Sequence, residues 1–475
     1  MKGNSEGLAG WSLSRAGLLT AVVYLLTLIF YVRGPQAHSR TAREVFAWFM
    51  VISLLYLFRK GYQIVSSSSD VSARSIISFA TVLCVLAVLI FPFHSTDVFG
   101  YINRGWQQVH YQQNPYVNFL GDVPNWQQDP MLREHWVYNP NPYGFLFTLL
   151  SRFLVRLGHG NWWVTLFLFK LVNLAAYALT AWIIWLGASR FGQRKAVTAL
   201  YLFLWNPLIL MHEIANGHND ILTGCLVVLA MYLALIGAGF WIIPTLVAAV
   251  LLKYAPAVLL PFAFVFVVKK QSWKVAISGC LLAAVLVVAA AAPYIGDWQL
   301  FRLADIKFNA TLIDNSLHSF LIHIFENLAR LLPAFSTYHD VVNSSIKNIL
   351  RLGFALFLIT ELITLPKKFA ANTLLKKSLL IMFVLICVVS SKFNAWYMAM
   401  LLPLALLVED RHWLRRLVVL ITAAQLLSLT FFKQAYILNF FAMMLIPAWV
   451  VFRKVRIERT ELARTVSEEL FTSAD

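Results

Sequence analysis

The sequence predicts an all-α fold, a polytopic bundle of transmembrane helices, and three observations lead to it. The 475-residue chain is 60% hydrophobic and only 13% charged, with a mean hydropathy of +0.70. Soluble globular chains carry roughly a quarter charged residues. Apolar runs long enough to cross a bilayer, about 17–25 residues each, recur along the chain. Lysine and arginine stand in short clusters between these runs, as they do in the cytoplasmic loops of membrane proteins.

Apolar runs predict the elements in order. Two stretches, 240–268 and 378–408, are too long for one span and are broken near their middles, so each is predicted to be a pair of short, re-entrant or closely packed helices. Such backbone persists at membrane depth only when it lines a protein cavity. About 12–14 membrane segments are expected in all. The single spans are predicted at 16–32, 45–58, 75–93, 164–188, 196–211, 221–238, 273–292, 347–365, 413–432 and 434–452.

The positions of the basic clusters predict the orientation of the chain. Residues 1–452 are expected to form one transmembrane domain, and the charged segment 453–475 a cytoplasmic tail. Two large loops, 94–161 with juxtamembrane helices and 293–346, then lie on the outer face, although the basic residues at 33–43 run against this orientation. The other outer segments are 212–220, 253–254 and 390–396, so the polar chemistry is expected on the outer face of a bacterial cytoplasmic membrane.

The composition also excludes several classes. The net charge is +17, but the basic residues form neither a face nor an arm, so no nucleic-acid partner is expected. All four cysteines lie inside apolar runs without a C-x-x-C pair, which argues against disulfides and thiolate metal sites.

The first outer loop contains a candidate general base. A helix beginning near Asp97 would place Asp97, Tyr101 and Arg104 on one face. Val98 and Ile102 would fall on another face that could lie on the membrane. A partly desolvated carboxylate suits proton abstraction. The alternative is that Asp97 only caps a juxtamembrane helix.

Aromatic and amide side chains are dense in the same loop, for example at 114–116 and 138–144, which includes Tyr143. Aromatic rings can stack on the C–H face of a sugar, and amides can hydrogen-bond to its hydroxyls. An aromatic belt at the membrane interface is the alternative.

A second polar cluster follows Asn206-Pro207, at 212–220, between two apolar spans. Polar side chains at a membrane boundary cost free energy, so a cluster of them indicates a functional role. Its side chains could ligate a divalent metal, but no standard ligand spacing is present, so no metal and no cofactor are predicted. The structural alternative is that Asn219 or Asp220 caps the next helix.

Lys253 and Lys392 lie at the interruptions of the two broken stretches. A cation at a helix interruption can bind a phosphate. Snorkelling of the lysines to the lipid headgroups is the alternative.

Taken in order, these motifs resemble the GT-C superfamily of membrane glycosyltransferases, and within it the bacterial α-mannosyltransferases that use polyprenyl phosphomannose. The resemblance runs over roughly 75–450. Two departures are visible: 393–397 lacks a proline before Trp396, and Asp97 has no adjacent acidic residue. The motifs are the loop carboxylate Asp97, N-P at 206–207 with G-H-N-D at 217–220, K-Y at 253–254, and W-Y at 396–397 with L-L-P at 401–403.

The resemblance implies an inverting transfer of a sugar, with mannose favoured, from a polyprenyl-phosphate donor to a glycan or glycolipid acceptor, beside membrane lipid. Asp97 would be the base, with Tyr101 or His94 orienting it. The implied donor-phosphate ligands are Arg104, Lys253 and Lys392. The implied substrate-binding residues are His94, Tyr101, Tyr143, His218, Asn219, Asp220, Trp396 and Tyr397.

Three alternatives remain open from the sequence. The first is a related transferase with another sugar or acceptor. The second is a transporter or flippase of lipid-linked sugars, because transporters also use broken helices. The third is an envelope polysaccharide ligase or polymerase.

Overall fold

The structure, a computed structural model, describes residues 11–68, 70–139, 141–295, 316–430 and 435–472, with the side chains of 333, 459 and 461–472 excepted. Every regular element in these ranges is a helix, so the predicted all-α class is confirmed. Several predicted regions lie partly outside the described residues. They are the start of the transmembrane domain at 1–10, positions 296–315 of the second outer loop, the junction of two predicted spans at 431–434, and the tail end at 473–475.

Within the described ranges up to residue 235, the chain forms nine α-helices. They are α1 (Leu13–Tyr31), α2 (Arg40–Ser67), α3 (Ala73–Leu89), α4 (Asp97–Val109), α5 (Phe145–Leu157), α6 (Trp162–Ser189), α7 (Gln193–Leu204), the short α8 (Pro207–Ile209) and α9 (Asp220–Leu235).

The remaining described helices follow the second half of the chain. They are α10 (Ile242–Leu252), α11 (Leu260–Lys270), α12 (Trp273–Ala291), α13 (Leu317–Leu331), α14 (His339–Ile363), α15 (Ala371–Phe383), α16 (Met398–Leu406), α17 (Trp413–Ala424), α18 (Tyr436–Phe440) and α19 (Ile446–Thr472).

Seven of the described helical segments are long and apolar enough to cross a bilayer, and four shorter apolar helices accompany them. The protein is therefore an integral, polytopic membrane protein. The seven are Leu13–Tyr31, Arg40–Ser67, Trp162–Ser189, Gln193–Ala215, Trp273–Tyr294, Ala371–Val389 and Tyr436–Glu458.

Both long apolar stretches are interrupted where the sequence predicted. The first breaks between α10 and α11, at Lys253 and Tyr254, before a 3₁₀ turn at Ala255–Leu259. The second ends α15 in a π-helical turn, Val384–Val389, and resumes in a 3₁₀ turn at Ala395–Tyr397. Wider π-helical turns are frequent at functional sites.

The prediction that Val98 and Ile102 lie on the membrane is wrong. Both side chains are fully buried in an apolar cluster with Phe147 and Leu154 of α5. Helix α4 packs along α5, so the apolar side of α4 faces protein rather than lipid. Loop helices that cover each other in this way can bury a polar face beside their shared core.

Candidate active site

Asp97 is the first residue of α4, as the sequence predicted. Its two carboxylate oxygens lie 3.5 Å from His135 Nε2 and 3.4 Å from His218 Nδ1. The other ring nitrogen of His135, Nδ1, is 2.6 Å from Thr96 Oγ1. The positive end of the α4 dipole also favours an anion at this position.

The two imidazoles control the ionisation of Asp97. Burial raises the pKa of this carboxyl, but the contacts with His135 and His218 outweigh burial and hold its pKa well below the usual range. Asp97 is therefore ionised around neutral pH, in the form that a general base requires.

A tight turn delivers His218 to Asp97. The π-helical turn Leu210–Ala215 leads into Gly217, whose φ of +75° is one that glycine adopts readily. The amide of Asn173 on α6 donates to the carbonyl oxygens of Glu213 at 3.0 Å and of His218 at 2.7 Å. These bonds fix the turn against the bundle.

Trp396 supports the His218 ring from the other side. The two rings stack with their centroids 3.8 Å apart and their planes 16° apart. The imidazole is fully buried. Stacking of this kind restricts the plane of the ring, and Nδ1 of the ring faces Asp97.

His94 and Tyr101, named from the sequence as orienting residues, have other contacts. Asn216 Oδ1 accepts hydrogen bonds from the backbone N–H groups of Phe93 and His94, and His94 Nε2 is 2.8 Å from the carbonyl oxygen of Ser428. The Tyr101 hydroxyl donates to Asn219 Oδ1 at 3.3 Å. His135 and His218 both contact the Asp97 carboxylate.

Two cavities meet at Asp97. The larger, of about 610 Å³, and the smaller, of about 270 Å³, share Asp97, Trp136, Lys392, Asn394 and Trp396 in their walls. His94 and His135 line the smaller one. The predicted site residues in the larger one are Asp97, Tyr101, Arg104, Tyr143, Asp220, Lys253, Lys392, Trp396 and Tyr397.

Lys253 is already paired with an acidic residue. Its ammonium lies 2.6 Å from Asp220 Oδ1 and 4.2 Å from the centroid of the Tyr397 ring. Asp220 begins α9 and is 1% exposed, so the pair stabilises a buried carboxylate. The sequence analysis assigned Lys253 to the donor phosphate and Asp220 to the substrate, and in the structure the two residues are also partners of each other.

Arg104 and Lys392 differ from Lys253 in their partners. Arg104 Nη2 donates to the backbone carbonyls of Trp136 and Asn139, and Nη1 is buried with no hydrogen-bond partner among the described residues. Burial lowers the pKa of Arg104 to about 10, so it stays protonated at neutral pH. Lys392 Nζ lies 5.6 Å from the centroid of the Trp136 ring.

Three basic residues at Asp97 or in the larger cavity were not predicted from the sequence. They are His135, which contacts Asp97, and Lys347 and Arg351, which line the larger cavity from α14. Two basic residues four apart in an apolar helix were a visible signal for the pair. Nothing in the local sequence marks His135. The larger cavity wall also contains the apolar side chains of Phe354, Leu385, Ile386, Val389 and Met400, and the polar side chains of Asn139, Ser390, Ser391 and Asn394.

His218 and Asn219 lie behind this wall, both buried. In the described part of the chain, no three His, Cys, Asp or Glu side chains are arranged to hold a metal ion.

The fold and the site define an integral membrane protein with an ionised carboxylate between two cavities, one of them lined by cations and apolar side chains. Residues 8–269, more than half of the chain, match the family model described as alpha-(1->6)-mannopyranosyltransferase, N-terminal domain. The chain belongs to this family, which confirms the resemblance inferred from its motifs.

Two curated relatives are both called alpha-(1->6)-mannopyranosyltransferase A. The protein from Corynebacterium glutamicum is 27% identical over 256 residues, covering 52% of this chain and 50% of the relative. The protein from Mycobacterium tuberculosis is 29% identical over 187 residues, covering 38% of this chain and 35% of the relative. The chain thus aligns with half or less of the length of each.

Proposed function

We propose that this chain is an inverting mannosyltransferase that moves mannose from a polyprenyl-phosphate carrier to a glycan or glycolipid acceptor, with Asp97 as the general base. The observation that carries the proposal is the position of Asp97, in the wall common to two cavities. A base between two pockets can reach a hydroxyl held in one while the donor occupies the other. The names of the two relatives support mannose as the sugar.

The larger cavity suits the donor. Arg104, Lys253 and Lys392 supply positive charge near Asp97, and the apolar side chains of Leu385, Ile386 and neighbouring residues extend the wall. A lipid phosphate needs both a cationic and an apolar surface. Tyr101, Tyr143 and Tyr397 are aromatic groups beside the charged end, where a mannose ring would lie.

The smaller cavity would hold the acceptor. Its lining includes His94 and His135 together with aromatic rings such as Trp136 and Trp396. These side chains can stack on a sugar ring and bind its hydroxyls. In this assignment His218 and Asn219 position Asp97 and Tyr101 from behind, and Asp220 holds Lys253 in place.

The proposed reaction is a single displacement. The acceptor oxygen attacks the anomeric carbon of mannose, its proton passes to the Asp97 carboxylate, and the bond from the anomeric carbon to the phosphate oxygen breaks with its electron pair moving to the phosphate. The cations of the larger cavity stabilise the charge that builds there. His135 and His218 keep the base ionised and oriented before the attack.

We also propose that residues 1–452 act as one transmembrane domain whose site opens on the outer face of a cytoplasmic membrane, with 453–475 as a cytoplasmic tail. The basic clusters support this orientation. The contacts that bring loop 94–161, the turn at 212–220 and both helix interruptions to one cavity support a common side for these segments.

The test is transfer of radiolabelled mannose from polyprenyl phosphomannose by the purified protein, with an envelope glycan extract as the acceptor source. Asp97→Asn removes the base but keeps the shape of the side chain. Loss of a general base is expected to slow transfer by about 10²–10⁴-fold. Asp122→Asn, in the same loop but outside both cavities, should retain wild-type transfer. Full transfer by Asp97→Asn would contradict the assignment of the base.

A further inference from the structure

One face of helix α14 carries two basic residues and a phenylalanine, and this face lies toward the larger cavity. Lys347, Arg351 and Phe354 are spaced i, i+4 and i+7, so they share one helical face, and all three line the cavity. Other positions of α14 expose large apolar side chains, among them Leu352 and Leu356. Helix α14 has no residue that is fully buried, so it covers the cavity from the periphery of the bundle.

The placement of these two cations is unfavourable without a ligand. Like charges at i and i+4 on a helix repel each other. Within the described ranges, neither Lys347 nor Arg351 forms an ion pair that would offset this repulsion. Lys347 is half-buried and Arg351 is exposed, so both side chains remain accessible to a ligand in the cavity that they line.

The charges that line the cavity are unbalanced. Its described lining includes five basic side chains and two carboxylates. Asp220 is paired with Lys253, and Asp97 contacts two histidines. Arg104, Lys347, Arg351 and Lys392 are thus left, among the residues that the structure describes, without a carboxylate partner.

We propose that Lys347 and Arg351 bind the phosphate of the lipid carrier, and that they bind the released phosphate monoester more tightly than the diester of the donor. The assignment rests on the proposed function for the identity of the carrier. The first isoprene units would pack on Phe354 and on the π-helical turn Val384–Val389, which form the adjacent apolar wall.

The charge of the carrier explains the preference. The donor is a phosphodiester with one negative charge. When its bond to the sugar breaks, the phosphate keeps the electron pair and becomes a monoester, whose second pKa is about 6. Cations that interact more strongly with the dianion than with the monoanion lower the barrier of the reaction.

A series of three ligands of one tail length tests the proposal at about pH 8, with the purified protein in detergent. The ligands are farnesol, farnesyl methyl phosphate and farnesyl phosphate, with zero, one and two negative charges. We expect the wild type to bind farnesyl phosphate at least about tenfold more tightly than the methyl ester. In Lys347→Gln/Arg351→Gln this ratio should fall to about threefold or less, while farnesol affinity stays unchanged.

Two further variants make the result specific. Arg330→Gln removes an exposed arginine of the adjacent helix α13 that does not line the cavity, and should keep the wild-type ratio. Lys347→Arg/Arg351→Lys keeps both charges and should largely keep it too. A wild-type ratio in the Gln/Gln variant would overturn the proposal, as would loss of the ratio in Arg330→Gln.

Binding and transfer separate the two proposals. If no sugar is transferred by any form but the affinity ratio depends on Lys347 and Arg351, the phosphate site stands and the proposed function is wrong. If mannose transfer depends on Asp97 but the affinity ratio does not change when Lys347 and Arg351 are replaced, the proposed function stands and the phosphate site is wrong.

Discussion

At the scale of single residues, the site depends on which groups face each carboxylate. Asp97 faces two imidazoles, whereas Asp220 faces the ammonium of Lys253. The first carboxylate remains accessible from two cavities, with 20% of its side chain exposed, and the second is buried. Two aspartates that look equally suitable in the sequence therefore have different environments, and we propose Asp97, the more exposed of the two, as the base.

The effect of the His135 and His218 imidazoles on Asp97 should be visible in the pH dependence of transfer. His135→Gln removes one of the contacts that hold the pKa of Asp97 low, so that pKa should rise. Asp97 would then become protonated at a higher pH, and transfer would be lost earlier as pH falls. We expect the acid limb of kcat/KM to move up by on the order of one pH unit.

The control is His159→Asn, an exposed histidine with positive φ, which asparagine tolerates. Its acid limb should match the wild type. An unshifted limb in His135→Gln would mean that His135 does not set the ionisation of Asp97.

At the scale of elements, interruptions and close helix contacts build the site. The break after α10 presents Lys253, and the turn before α9 presents His218. The position of α9 depends on Gly224, where an added Cβ would lie 2.3 Å from the carbonyl oxygen of Ala399 on α16. The α9–α16 contact joins the His218 turn to the segment that carries Trp396.

Gly224→Ala should therefore destabilise the protein. Because the added methyl group meets backbone rather than a flexible side chain, the two helices must separate, at a cost of about 1–3 kcal/mol. Thermal unfolding in detergent measures the loss. Gly353→Ala on α14, with nothing within 4 Å of the new Cβ, is the matched control and should be neutral or more stable by up to about 1 kcal/mol.

An unchanged midpoint in Gly224→Ala would show that α9 and α16 are not in close contact. A lower unfolding midpoint in both variants would indicate a general effect of replacing helical glycines.

At the scale of the whole molecule, charge and hydropathy separate the chain into two sides. The basic clusters mark one side, and the aromatic and polar segments that meet at Asp97 mark the other. In the orientation that we propose, this division places the site toward the outer membrane surface. A glycan acceptor could then reach the site only if the protein has this orientation.

Cysteine labelling tests the orientation in intact cells. We expect cysteines at the exposed positions Asn118 and Ser344 to react with a membrane-impermeant maleimide, and one at Gln271, beside the basic cluster 269–274, to react only after permeabilisation. Cys84, Cys225 and Cys387 are buried, so Cys280→Ala gives a low background. The reverse pattern would place the site on the cytoplasmic side.

The sequence by itself determined the membrane class, the all-helical fold, the start of α4 at Asp97 and the interruptions near Lys253 and Lys392. These features depend on composition and on local spacing, and both can be determined from a short stretch of the chain. It also identified nine of the residues that line the larger cavity, because polar side chains between apolar spans are conspicuous.

Only the tertiary structure decided which of these residues meet. It brought His135 and His218 to Asp97 and paired Lys253 with Asp220. It also buried Val98 and Ile102 and placed two basic residues of α14, Lys347 and Arg351, in the cavity wall. Each of these contacts joins segments far apart in the chain. Their geometry follows from how the helices pack around one another, and helix packing is not encoded in the periodicity of any single segment.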